Sequence, residues 1–336
     1  MISHVKSRTL VAALVILPVM AACSKAGQNS KVKSEAGALT IAAALPKSTG
    51  FAFGLSITKL RGTKLFAQLV AQLREKSADN LAELKQMCGI DPFSDLDSFV
   101  LVGDESLDSK KMIVFVTGKW DEEKVGKCIA AKLEKDAKEA NASDKISVKK
   151  EGKLTEYTDK DGDKFYSAWL SPQLAVFAPG DEGKGRLADL VGTPGGIKDN
   201  PTTGPLLDKV DTAATAWGIL AIPAEGPASQ AFAVMGGEKP AGGYLTLNYT
   251  KDLDANVGIR FSTGEGAKGM SDKVTKELEA VKSQPLFGDF VKGVGIAATD
   301  KDAVMKIRLT EQQLDTLVGM LGSQLGAMLP MMLGGH

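Results

Sequence analysis

The chain has 336 residues, with 41 basic and 41 acidic side chains, so no bulk charge draws it to nucleic acid. Its 43% hydrophobic content is enough to bury real cores and excludes wholesale disorder, and its length favours two domains over one. Arginine occurs only at positions 8, 61, 74, 186, 260 and 308, and the remaining cations are lysines. A Lys-rich, Arg-poor surface serves solubility rather than bidentate recognition of phosphate or carboxylate.

At the N-terminus, Lys6 and Arg8 precede an apolar run, Leu10 to Ala22, that ends at Cys23. A basic start, an apolar stretch and small residues before a cleavage point are the layout of a secretory signal. The uncharged run from Thr9 is shorter than the ~20 residues a membrane-spanning helix needs, and Pro18 interrupts it. Ending in Cys23, with Met20 where that family commonly has Leu, it resembles a bacterial lipoprotein signal. The resemblance implies that residues 1–22 are removed as signal peptide and that Cys23 carries palmitate-type acyl chains on its thiol and often its new amino group. Two or more chains hold a protein firmly to a bilayer, where one holds it marginally. Ser24, in place of the Asp that retains many such proteins at the inner membrane, implies the outer membrane. Residues 23–38 are small, polar and charged, and read as a flexible tether.

The body then shows a recurring unit. Phe51 to Ile57 reads as a strand leading into a helix with Leu65, Leu69 and Leu73 on one face. Phe99–Val102 and Met112–Val116 read as a hairpin around a polar turn, followed by a helix from Asp121 with Val125, Ile129 and Leu133 four apart. Short strand stretches at Ile146–Val148 and Leu154–Tyr157 come next. A second hairpin pairs Phe165–Leu170 with Leu174–Phe177 across Ser171-Pro172, and a helix runs from Asp181 to Val191.

Breakers cluster from Gly192 to Pro205. Beyond them Trp217–Ile222 reads as a strand and Ala228–Met235 as a short helix. Tyr244–Tyr249 and Ala255–Phe261 form a hairpin, since Ala255, Val257, Ile259 and Phe261 alternate as in a half-buried strand. A helix with Met270, Val274, Leu278 and Val281 follows. Val294–Ala298 and Val304–Leu309 form the last hairpin, and Thr310 with Gln313 makes a capping box for a final helix.

The order strand, helix, hairpin, helix, hairpin, helix thus occurs twice. The expected fold class is α+β: two tandem lobes, each a mainly antiparallel sheet packed by helices, related by internal duplication. The expected boundaries are 39–192 for the first lobe, 193–212 for a linker and 213–336 for the second lobe. The layout loosely resembles uncharacterised bacterial envelope lipoproteins built from repeated α/β hairpin units, and that resemblance carries no functional residues.

Candidate chemistry is sparse. The two histidines are His4, which leaves with the signal, and His336, the last residue. A held imidazole for nucleophilic catalysis, or for a zinc site of ordinary type, is therefore missing from the body. No cofactor or metal is expected. Gly180–Gly185 lacks the spacing of a phosphate loop. Asp159, Asp161 and Asp163 miss the EF-hand pattern and sit where a hairpin turn is expected. Glu122-Glu123 and Asp95/Asp97 read as solvated carboxylates. Cys88 and Cys128 form an even pair in an oxidising compartment, which leaves a disulfide or two buried thiols open.

From Thr316 to Gly335 there is no charge, and Met320, Met328, Met331 and Met332 add adaptable apolar surface. Three readings stay open for this helix: the last core helix of lobe two, a hydrophobic contact surface for a partner or lipid, or a segment that enters a bilayer. The expected function is a non-enzymatic, lipid-anchored cell-envelope lipoprotein with a binding or scaffolding role. Its partners are the membrane, through the N-terminal lipid, and an envelope protein or hydrophobic ligand, with no nucleic acid. The alternatives are a carrier or chaperone for a hydrophobic ligand, which needs a cleft, and a His-free hydrolase, which needs a buried Ser/Lys or paired-acid constellation.

Overall fold

The computed structural model describes residues 41–106, 108–143, 145–225, 238–282 and 288–316. Strand β1 (Phe51–Ser56) gives way to a short helix, α1 (Ile57–Leu60), where the Ser56 hydroxyl accepts from the Lys59 amide. Thr63 caps α2 (Lys64–Lys76) in the same way, its Oγ1 3.2 Å from the Phe66 amide. Helix α3 (Ala78–Cys88) ends at Gly89, whose φ of 60° is the left-handed conformation glycine adopts without a Cβ penalty. Helix α4 (Pro92–Asp95) starts on a proline, which lacks only an amide that would have no helical partner there. Strands β2 (Leu96–Gly103) and β3 (Ile113–Gly118) follow, and Asp121 caps α5 (Glu122–Glu139) by accepting from the Lys124 amide at 2.7 Å. Then come β4 (Ser147–Glu151), β5 (Leu154–Thr158), β6 (Lys164–Ser171), β7 (Leu174–Pro179), α6 (Gly180–Gly192), α7 (Thr203–Leu207) and β8 (Ala216–Ala221).

The described residues of Met1–Ile222 form one compact unit. Its strands run in the order β8-β1-β2-β3-β7-β6-β5-β4 and pair antiparallel throughout. Side chains on both faces of β2 and β3 are buried, among them Val100, Val102, Ile113, Val114 and Phe115. That matches their short, continuous apolar runs.

The described residues of Pro223–His336 form the other unit. It holds β9 (Pro240–Tyr249), β10 (Leu253–Phe261), α8 (Gly264–Lys282), α9 (Gly288–Val291), β11 (Val294–Thr299) and β12 (Asp302–Leu309). The strand order is β9-β10-β12-β11, again antiparallel. Helix α8 lies on the face carrying Ile259, Phe261 and Ala303, against which it sets Ala267, Met270 and Val274. The sequence is therefore a mixed α/β chain of antiparallel sheets packed by helices.

Two placements differ from the sequence reading. Residues 193–212, expected as a linker, are packed: Ile197, Thr203, Leu206 and Leu207 are buried. The breakers shape a loop that pairs with an earlier segment rather than a hinge. The Gly195 and Ile197 amides donate to Ala44 and Leu45 carbonyls at 3.1 Å, and the Thr203 hydroxyl donates to the Thr49 carbonyl at 2.8 Å. Strand β8, expected to open the second lobe, pairs with β1, and the division between the units falls after Ile222. Residues 1–40, where the signal and tether are expected, the helix expected at 228–235 and the tail 317–336 lie outside the described residues. The capping box of the last helix forms as expected: the Thr310 amide donates to Gln313 Oε1 at 2.9 Å and the Gln313 amide to Thr310 Oγ1 at 3.3 Å.

Three aromatic rings lie over glycines directly opposite them on neighbouring strands. Phe51 covers Gly103, Trp217 covers Gly54, and Tyr244 covers Gly258. A Cβ at any of these glycines would fall inside the ring. Gly54→Ala is expected to cost about 1–3 kcal/mol by overpacking against Trp217. Gly185→Ala, in α6 where a Cβ meets nothing within 4 Å, is expected to be neutral or to stabilise by up to about 1 kcal/mol through helix propensity. Urea denaturation of the two variants beside the parent checks both signs.

Candidate functional site

Histidine is absent from the described residues, and among them no group of three or more His, Cys, Asp or Glu side chains is placed to hold a metal ion. Asp159, in the expected turn, accepts through Oδ1 from the Asp161 and Asp163 amides at 2.9 Å, so its carboxylate closes its own β5–β6 turn. Asp95 accepts from the Asp91 amide at 2.9 Å, and Asp97 lies 3.3 Å from Arg61. Glu122 pairs with Lys150 and Glu123 with Lys127 on α5.

The most strongly perturbed polar group was not legible as a site. Tyr166 on β6 is 1% exposed, and its single phenol proton is shared between Asp181 Oδ1 at 3.0 Å and Glu156 Oε2 at 3.2 Å. Strand register creates this cluster, because Glu156 on β5 stands directly opposite Tyr166, and Asp181 is in the first turn of α6. Lys164, two residues before Tyr166 and so on the same face, comes within 3.6 Å of both carboxylates. Burial, then the Asp181 and Glu156 carboxylates beside it, hold the Tyr166 phenol protonated well above the usual tyrosine range. A phenol held protonated donates hydrogen bonds and does not act as base or nucleophile. The cluster thus ties the start of α6 to the sheet.

The arginines also serve internal contacts. Arg260 forms a two-point pair with the buried Asp302 opposite it, Nε to Oδ1 at 2.7 Å and Nη2 to Oδ2 at 3.0 Å. Arg61 donates from Nε to the Phe93 carbonyl at 2.8 Å, and Arg74 lies over the Phe93 ring at 5.7 Å.

The second unit carries an open groove of about 480 Å³ among the described residues. Asp254 and Asn256 of β10, Lys306 and Arg308 of β12, and Lys292–Gly295 at the start of β11 line it. Arg308 lies 3.6 Å from Asp254, and Lys292 pairs with Asp289 at 2.7 Å. Lys306 is exposed and has no carboxylate partner among the described residues.

Of the residues singled out from sequence, Cys88 and Cys128 come together. They are disulfide-bonded, with Cα atoms 4.9 Å apart, and the bond joins the end of α3 to α5. Beside it Glu83 of α3 accepts from Lys132 and Lys135 of α5 at 3.2 and 2.8 Å, which holds its carboxyl below the usual range. Cys23, Met320, Met328, Met331 and Met332 lie outside the described residues. No helix of the described residues is long and apolar enough to cross a membrane.

No family model matches the chain, and no curated protein matches it. Among solved structures, crystal form I of TP0453 is similar over 84% of this chain and 97% of that one, at 8% identity and a TM-score of 0.48.

Two measurements follow from these contacts. Replacing both Cys88 and Cys128 by Ala is expected to cost about 2–4 kcal/mol in urea unfolding, because the bond closes a 40-residue separation. Tyr166→Phe is expected to cost about 1.5–3 kcal/mol at pH 7, as hydrogen bonds to charged groups do. Because the folded state raises the Tyr166 pKa, its contribution is fully present below the free tyrosine value near 10 and is lost as pH rises above it. The parent should lose stability above pH 10 more steeply than Tyr166→Phe, and equal slopes would show that Tyr166 does not carry this dependence.

Proposed function

We propose that this chain is a lipid-anchored protein of the bacterial cell envelope, held at the outer membrane by acyl chains on Cys23, with a non-enzymatic binding or scaffolding body. The observation that carries the reading is the run Leu10–Ala22 ending in Cys23 behind Lys6 and Arg8. Supporting it, the one strongly perturbed phenol is locked in its donor form, and the carboxylates considered for acid–base work are occupied by caps and lysines.

The body reads as two tandem copies of one lobe. The support is a shared strand order. In the first unit hairpin β2–β3, helix α5 and hairpin β6–β7 assemble as β2-β3-β7-β6. In the second, hairpin β9–β10, helix α8 and hairpin β11–β12 assemble as β9-β10-β12-β11. In each, the later hairpin joins the earlier one through its last strand. Such an order, first-second-fourth-third, is one of several open to two hairpins, and its recurrence favours duplication over coincidence.

The anchor is tested by Cys23→Ser in the full chain expressed in a Gram-negative host. The parent is expected to lose residues 1–22 and to incorporate labelled palmitate, and the variant to incorporate none, whether or not its signal is cleaved elsewhere. A variant that takes up as much palmitate as the parent would overturn the reading.

A further inference from the structure

The two units share a strand order but differ at one edge. In the first, β6 is not terminal, since β5 pairs along it antiparallel from Leu154 opposite Ala168 to Thr158 opposite Lys164. The counterpart of β6 in the second unit is β11, and among the described residues β11 pairs only with β12. The place that β5 fills in the first unit is therefore unfilled among the described residues of the second.

The open edge is built to accept a strand. The Arg308 amide donates to the Gly293 carbonyl at 2.7 Å, so residues opposite each other at 293/308 are a hydrogen-bonded pair. Antiparallel ladders alternate, which turns the amides and carbonyls of Val294, Ile296 and Ala298 outward. Natural sheets guard such edges with charge, proline or a bulge. The terminal strand of the first unit, β4, carries Lys149, Lys150 and Glu151. Strand β11 reads Val-Gly-Ile-Ala-Ala-Thr, with no charge and no proline, and it keeps regular register with β12 along its whole length.

The charge beside this edge selects the occupant. Of the three cations lining the groove at the start of β11, Lys292 pairs with Asp289 and Arg308 lies beside Asp254. Lys306 is exposed and has no acidic partner among the described residues. In the first unit the added strand β5 brings Glu156 within 3.6 Å of Lys164 on β6. A second copy of this chain would bring its own cations to the joint.

We propose that the edge of β11 is a β-augmentation site that takes an extended, acidic peptide segment of a partner protein, pairing antiparallel with Val294–Thr299 and setting a carboxylate against Lys306. Backbone pairing supplies the affinity in this mode, and the flanking cation supplies the preference. This assignment does not depend on the lipid anchor, because it concerns the folded body alone.

The test uses the full chain in detergent and two fluorescein-labelled peptides of about ten residues, one alternating Glu and Val, the other Lys and Val. Fluorescence anisotropy is expected to show binding of the acidic peptide at least about tenfold tighter than the basic one, with the gap closing as salt rises. Ala298→Pro removes one outward amide at an exposed position, and should weaken the acidic peptide at least about fivefold, the worth of one backbone hydrogen bond. Lys306→Glu, a surface change that leaves the ladder intact, should weaken it about tenfold and raise affinity for the basic peptide. Hydrogen exchange should show the amides of Val294, Ile296 and Ala298 protected only with the acidic peptide present. Equal affinity for both peptides, or no response to Lys306→Glu, would overturn the charge assignment. Binding without new protection at β11 would overturn the site, and a dimer that Ala298→Pro dissolves would make the occupant a second copy instead.

Discussion

Strand β1 is the joint on which the first unit depends. It sits between β2 and β8, and each neighbour locks to it through an aromatic ring laid on a glycine: Phe51 over Gly103 on one side, Trp217 over Gly54 on the other. A ring can lie this close to a strand only where the opposite residue has no Cβ, so each pair admits a single register. A slip by one residue would bring a side chain under the ring and turn every buried side chain to the other face. Tyr244 over Gly258 performs the same service for β9 and β10 in the second unit. Glycine in a strand interior ordinarily weakens it, and here that loss is offset by the area the ring covers.

On these joints two hairpins are hung in each unit, in the same order and with a helix between them. The shared order makes the differences informative. The first unit extends its last hairpin with β4 and β5, and the β5–β6 contact carries the Tyr166, Glu156, Asp181 and Lys164 cluster. The second unit stops at β11 among the described residues. The first unit also carries the disulfide and its flanking Glu83–Lys132–Lys135 contacts between α3 and α5. A covalent bond between helices suits an oxidising compartment, in keeping with the signal proposed for the N-terminus.

Much of the local structure was legible because the signals were local. Alternation at Ala255, Val257, Ile259 and Phe261 marks β10, the Asp121 cap and four-residue spacing mark α5, and Thr310 with Gln313 marks its own box. Long-range pairing left no such trace. Nothing near Trp217 says that β8 lies against β1, because the partner glycine is more than 160 residues away. The stretch from Gly192 to Pro205 carried every mark of a linker, since the same residues that break helices also build a packed loop when their amides find carbonyls at Ala44 and Leu45. The Tyr166 cluster was equally hidden. Glu156 and Tyr166 meet only through strand register, and Asp181 read as an ordinary helix-start acid. The cysteine pair was legible as a choice between a bond and two thiols, and proximity decides it.

In the proposed role, Cys23 is acylated by other proteins of the envelope. Intact-mass and peptide mass spectrometry of the chain extracted from host membranes addresses that claim most directly. The account predicts a mature chain that begins at Cys23, with a mass equal to residues 23–336 plus acyl chains, and with the lipid on the N-terminal Cys23–Lys25 fragment. A mature N-terminus elsewhere, or an unmodified Cys23, would contradict it.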